Sequence, residues 1–165
     1  MISPELIRRY PFSSGLSQSQ IVTLAKTAAE KTVRTGQFFF HEGDELDAVY
    51  LIVDGSVGIV IEVPDQAIEQ KVSRQLTGEL HTKDVVISAL GPGDVFGSSA
   101  IIHPYTATGS AKATTDCRVI QFDAGQLRHI FAEDCAFGFL MMQKAAQVIR
   151  GRLRDIRIES LAYLM

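Results

Sequence analysis

The chain has 165 residues, 46% of them hydrophobic, with 16 Lys and Arg against 19 Asp and Glu and a formal charge of -3. That length and apolar content suit one domain around a single substantial core. Scattered charge of both signs argues against a surface made to coat nucleic acid, and bulk charge names no partner.

The opening stretch MISPELIRRYPF lacks the continuous apolar run of a signal peptide, and no later stretch has the eighteen or so apolar residues in a row that crossing a bilayer takes. A cytoplasmic chain with no membrane partner is expected. LSQSQIVTLAKTAAEKTV then begins with serines that can cap a helix and sets Ile21, Leu24, Ala25 and Ala28 on one helical face. Next, TVRTGQFFF and AVYLIVDGSVGIVIEV are rich in β-branched and aromatic residues and predict strands, with Asp54-Gly55 as the turn of a β-hairpin. The polar, aperiodic stretch from Pro64 to Lys83 predicts a surface loop with no assigned role. DVVISALGPGDVFG reads as strand, turn and strand start, and GSAKATTDCRVIQFDAG as the last alternating stretch. After Ala124 the helical period returns, and Met142, Ala145, Ile149, Leu153, Ile156 and Tyr163 predict a long terminal helix.

This order predicts a mainly β fold with flanking helices: a jelly-roll β-barrel with N-terminal helices and a long C-terminal helix. The single domain, 1–165, divides into a helical lead (1–31), a barrel (32–125) and a helical segment (126–165).

Barrels of this type also host metal enzymes, which need two or three His with a carboxylate converging inside. His41, His81, His103 and His129 show no H-x-H or H-x-x-x-H spacing. Cys117 and Cys135 are too few for a disulfide framework, form no C-x-x-C pair, and are read as buried core thiols. No catalytic or metal-binding residue is assigned, and an enzyme is not expected.

HEGDELDAVYLIVDGSVGIVIE followed by LGPGDVFG resembles the cyclic-nucleotide-binding domain family, known from the sensor halves of catabolite-activator-type regulators. Gly43, Asp44, Asp47, Tyr50, Gly55, Gly91, Gly93, Asp94, Phe96 and Gly97 stand where that pattern expects them. The resemblance implies a phosphate-binding cassette of the form F-G-E-[LI]-[AS]-L, a variable loop, then P-R-[ST]-A-[ST], whose Glu accepts a ribose hydroxyl and whose Arg pairs with the cyclic phosphate. Carried onto this chain, Phe96, Gly97 and Ala100 match, Ser98 stands at the Glu position beside Ser99, and Ala107 stands at the Arg position before Thr108, Gly109 and Ser110. Those nine residues are the candidate ligand-binding set.

Both charged contacts are missing. Charge-assisted hydrogen bonds contribute about 1.5–3 kcal/mol each, so their joint loss is about 3–6 kcal/mol. A micromolar binder at about -8.2 kcal/mol would fall to roughly millimolar affinity. Weak or absent cAMP and cGMP binding is the expectation, with no certain cofactor. A nucleotide-like ligand held by backbone amides at a short helix start and by Ser/Thr hydroxyls is the alternative. Lys112 reads as a surface charge, and His103 and Tyr105 as a cover over the pocket mouth.

The resulting expectation is a stand-alone regulatory, ligand-sensing or interaction module whose output travels through the terminal helix. Were the chain a fragment, it would be the sensor half of a transcription regulator. Lys144, Arg150, Arg152, Arg154 and Arg157 read as the solvated face of the last helix, so direct DNA binding is not expected without a helix-turn-helix domain. The apolar stripe of that helix outruns any barrel of this size, which predicts a homodimer through it, or another protein partner.

Overall fold

The structure, a computed structural model, describes residues 1–64 and 82–165. Most of the loop predicted between Pro64 and Lys83 lies outside the described residues. The lead forms α1 (Pro4–Arg8), a 3-10 turn (Pro11–Ser13) and α2 (Gln18–Lys26). Ser17 closes a capping box on α2: its hydroxyl accepts from the Gln20 amide at 3.2 Å, and the Gln20 side chain accepts from the Ser17 amide at 2.8 Å. Ile21, Leu24 and Ala25 are buried on one face, as predicted.

Ala28 is not on that face. It begins β1 (Ala28–Val33), paired opposite Phe122, so the sheet starts before the boundary at 32 read from the sequence. Strand pairing overrides a helical spacing that continued by coincidence.

Two four-stranded sheets follow, with all pairing antiparallel. The first has the order β1-β8-β3-β6, with β3 (Ala48–Asp54), β6 (Val95–Phe96) and β8 (Cys117–Asp123). The second has the order β2-β7-β4-β5, with β2 (Phe38–Phe40), β4 (Val57–Pro64), β5 (Thr82–Leu90) and β7 (Ser110–Ala113). This is the predicted jelly-roll arrangement, but the two sheets do not close into a barrel. Period-two alternation explains the cores. Tyr50, Ile52, Cys117 and Val119 face Val57, Leu90 and Ala113 between the sheets, while Val49, Leu51, Ile120 and Phe122 on the other face of the first sheet join the core built with the helices.

The hairpin expected at Asp54-Gly55 is a corner instead. β3 pairs with β6 and β8, and β4 with β5 and β7, so the turn carries the chain from one sheet to the other. Gly55 has φ +91°, and a Cβ there would stand 2.3 Å from the Asp116 carbonyl, so the corner packs against the start of β8.

The C-terminal segment is two helices, α3 (Ala124–Glu133) and α4 (Cys135–Ala162), where the sequence suggested one long run. Asp134 divides them, its carboxylate capping α4 by accepting from the Phe137 amide at 3.0 Å. A Cβ on Gly138 would lie 2.8 Å from Phe131 Cβ, so only glycine lets α4 cross α3 this closely. Cys117 is buried as expected, whereas Cys135, at the exposed first turn of α4, is not a core thiol. Phe137, Gly138, Met141 and Ala145 are the buried residues of α4. Beyond them Ile149, Leu153 and Ile156 are 47%, 46% and 37% exposed, so the apolar stripe does run past the surface that could cover it. Among the described residues no helix is long and apolar enough to cross a membrane.

Candidate functional site

The candidate set forms two limbs joined by a tight turn. The first limb is held by aromatic packing. Phe96, fully buried at the end of β6, stacks on Tyr50 with ring centroids 5.0 Å apart and meets Phe39 edge-on at 4.9 Å. Gly97 takes φ +76°, and a Cβ there would press on the Ala48 carbonyl at 3.1 Å and the Tyr50 ring at 3.3 Å. Ser98–Ile101 then makes one 3-10 turn, closed by the Ala100 amide donating to the Gly97 carbonyl at 3.0 Å. Ser98 and Ala100 are buried and Ser99 half-buried. The short helix start predicted here exists, as a single turn.

The second limb is held by its backbone. Ala107 donates its amide to the Asp44 carbonyl at 2.8 Å and accepts from the Gly43 amide at 2.9 Å, and the Leu46 amide donates to the Tyr105 carbonyl at 2.8 Å. Thr108 is exposed, Gly109 is buried against Ile59, and Ser110 is 1% exposed. The Ser110 hydroxyl accepts from the Glu42 amide at 2.9 Å, which commits one of its lone pairs to holding the loop. Phe40 stands between the limbs: it pairs with Ala111 in β7, and the position of a Cβ on Gly97 is 3.6 Å from its Cε1. Phe39, Phe40 and Tyr50, which line this region, were not among the candidates; the FFF run was the available signal.

Charge is distributed against an anion. The segment bonded to the second limb carries Glu42, Asp44, Glu45 and Asp47, all exposed. The cations around it are engaged elsewhere. Lys112 lies 2.6 Å from Asp84 and 5.1 Å from the Phe38 ring centroid, so it is ion-paired rather than a free surface charge. His41 lies 2.8 Å from Glu62. The Arg128 guanidinium of α3 sits 4.1 Å from the Tyr105 ring centroid, and His103 packs edge-on against the same ring at 5.5 Å.

The groups that could serve as acid or base are quiet. Burial, with a smaller push from the Asp47 charge, raises the Tyr50 phenol to about 12. Burial likewise raises the Cys117 thiol, whose Sγ donates to the Ser56 carbonyl at 3.1 Å. Two of the five helical cations are not solvated as expected. Lys144 Nζ donates to the Ser14 carbonyl at 2.5 Å, and the half-buried Arg152 guanidinium donates to the Val95 carbonyl, one residue before Phe96. Burial pulls the pKa of both downward, and for Arg152 the nearby Asp94 charge partly opposes it.

The family model for the cyclic nucleotide-binding domain matches residues 30–134. The chain belongs to the cyclic nucleotide-binding domain family. It is 27% identical over 78% of its length to a CRP-like cAMP-activated global transcriptional regulator of Mycobacterium tuberculosis, of which the match covers 50%. It is 23% identical over 98% of its length to the cGMP-dependent protein kinase egl-4 of Caenorhabditis briggsae, of which the match covers 19%. The domain therefore spans half or less of the length of these relatives. Among solved structures it is similar to a candidate cyclic nucleotide-binding protein from Geobacter metallireducens, with 29% identity, a TM-score of 0.74, and 93% and 99% of the two chains covered. The catabolite activator protein of Thermus thermophilus shares the fold at 19% identity and a TM-score of 0.61, over 93% of this chain and 62% of that one.

Proposed function

We propose that this domain is a regulatory and interaction module that keeps the family's fold and cassette path while binding cAMP and cGMP weakly or not at all. One observation carries the reading: the two positions where the family places a carboxylate and a guanidinium hold Ser98 and Ala107, and the neighbouring basic side chains Lys112 and His41 already face Asp84 and Glu62. Each missing contact is of the charge-assisted kind, so backbone amides and hydroxyls recover only a fraction of the loss.

Output in this reading goes through α4. Arg152 bonds the helix to the strand that leads into the cassette, so a shift of Val95 is felt next to Leu153 and one helical turn from Ile156. The exposed stripe formed by Ile149, Leu153 and Ile156 pairs with the same stripe of a second copy, which buries both at once under two-fold symmetry. Calorimetry tests the ligand side: titrating cAMP and cGMP into the purified domain gives no micromolar binding isotherm, and a Kd in that range rejects the reading. Sedimentation tests the output side, with a dimer expected at micromolar concentration and a monomer rejecting the paired helices.

A further inference from the structure

Underneath α4 lies a crevice that touches the cassette at Ser98 and Ile101 but is otherwise walled by the helices and the first sheet. Its floor comes from Leu24 of α2 with Val49 and Phe122 of the first sheet, and its roof from Met141, Ala145 and Val148 on successive turns of α4. It holds about 530 Å³ of atom-free space, part of it open to solvent, and its walls are almost wholly apolar. Such an apolar space suits a methylene chain.

The mouth is different. Lys144 lines both the crevice and the groove that continues toward Arg152, Asp94 and Asp155. Its ammonium donates to a neutral carbonyl, that of Ser14, and Arg152 to that of Val95. Among the described residues neither cation is in an ion pair. A partly buried ammonium facing a carbonyl is satisfied as a donor but not neutralised, and a carboxylate is the stronger partner. Burial already disfavours the charged form of Lys144, which is the expected signature of a cation short of counter-charge.

From this arrangement we infer that the crevice between α4 and the first sheet is a binding site for an unbranched aliphatic carboxylate, its chain beside Ala145 and Val148 and its headgroup on Lys144. The ligand competes with the Ser14 carbonyl for Lys144 and wedges α4 away from the lead, so it acts on the helix directly, from beside Ser98. The inference stands whether or not the domain binds a cyclic nucleotide.

The test is calorimetry on the intact domain with octanoate, hexanoate, octanol and acetate. Octanoate binds saturably and acetate does not; each methylene withdrawn from water strengthens binding about fourfold, so hexanoate is weaker by roughly tenfold or more. Lys144→Gln weakens octanoate by about tenfold or more and brings it to the level of octanol. Ala145→Leu fills the crevice and abolishes binding of both, with Val148→Phe as the substitute if the first variant does not fold. No saturable octanoate binding overturns the inference, as does octanoate binding that survives filling of the crevice. Octanol binding as tightly as octanoate to the unmodified domain, or indifference to Lys144→Gln, overturns the assignment of a carboxylate.

Discussion

The cassette and the underside of α4 meet at Val95 and Ser98, yet they treat charge in opposite ways. The cassette, the place where this family holds an anion, offers no charged side chain at either key position and lies beside four carboxylates, Glu42, Asp44, Glu45 and Asp47. The underside of α4 holds two cations that were expected on a solvated face and that, among the described residues, donate to backbone carbonyls and form no ion pair. The charge that could meet an anion therefore lies under the helix and not at the two cassette positions, while one framework positions both. Architecture here follows from glycines and buried aromatics, and ligand chemistry follows from a few side chains that can be altered without touching that frame.

The sharpest way to break the comparison is to remove the frame. Phe96 stacks on Tyr50 and Phe39 and is fully buried, so Phe96→Ala is expected to destabilise the domain by about 3–5 kcal/mol in urea denaturation. A loss below about 1 kcal/mol would mean that the cassette is not held by its packing. Next in size is the link between the regions. Arg152→Met keeps the stem and removes the donor, leaving the Val95 carbonyl short of a partner, which costs about 1–3 kcal/mol by the same measurement. Replacing Leu153 and Ile156 together by Glu leaves the far-ultraviolet circular dichroism near that of the parent and converts the proposed dimer to a monomer in sedimentation, because both residues lie beyond the part of α4 packed on the sheet.

The smallest effect is a pH dependence. The folded domain holds the Tyr50 proton up to about 12, while an unfolded tyrosine releases it near about 10. Over that window the native state binds more protons than the unfolded state, so stability falls as pH rises. Tyr50→Phe removes this part of the slope and leaves the part due to other groups; an unchanged slope would show that the phenol is not buried in solution.

Much of the fold can be read from the sequence because its local signals are unambiguous. Positive φ at Gly55, Gly93 and Gly97 explains why turns fall where they do, and the segment from Phe96 to Ser110 does hold a short helical turn and then the start of a strand. The stripe on α4 was also legible, since a pattern that continues past its covering surface is visible as excess length. Four features were not. A hairpin and a corner between sheets share the same Asp-Gly signature, and only the distant partners β8 and β7 decide between them. Ala28 fits a helical face equally well as a strand, and its pairing with Phe122 is a long-range fact. The direction taken by a long cationic side chain is likewise invisible from helical spacing, so Lys144 and Arg152 read as solvated when each bends back to a carbonyl. In the same way Cys135, set among apolar neighbours in sequence, sits in the exposed first turn of α4.

The measurement that bears most directly on the central claim follows the backbone amides of Gly97, Ser98 and Ala107 by nitrogen-15 correlation spectroscopy while cAMP or cGMP is added to about 100 μM, well above the Kd of a micromolar sensor. The account predicts that these amides do not move saturably with either nucleotide. Saturable shifts centred on the two limbs at micromolar concentration would show that a cyclic phosphate is held there without the carboxylate and guanidinium, and would contradict it.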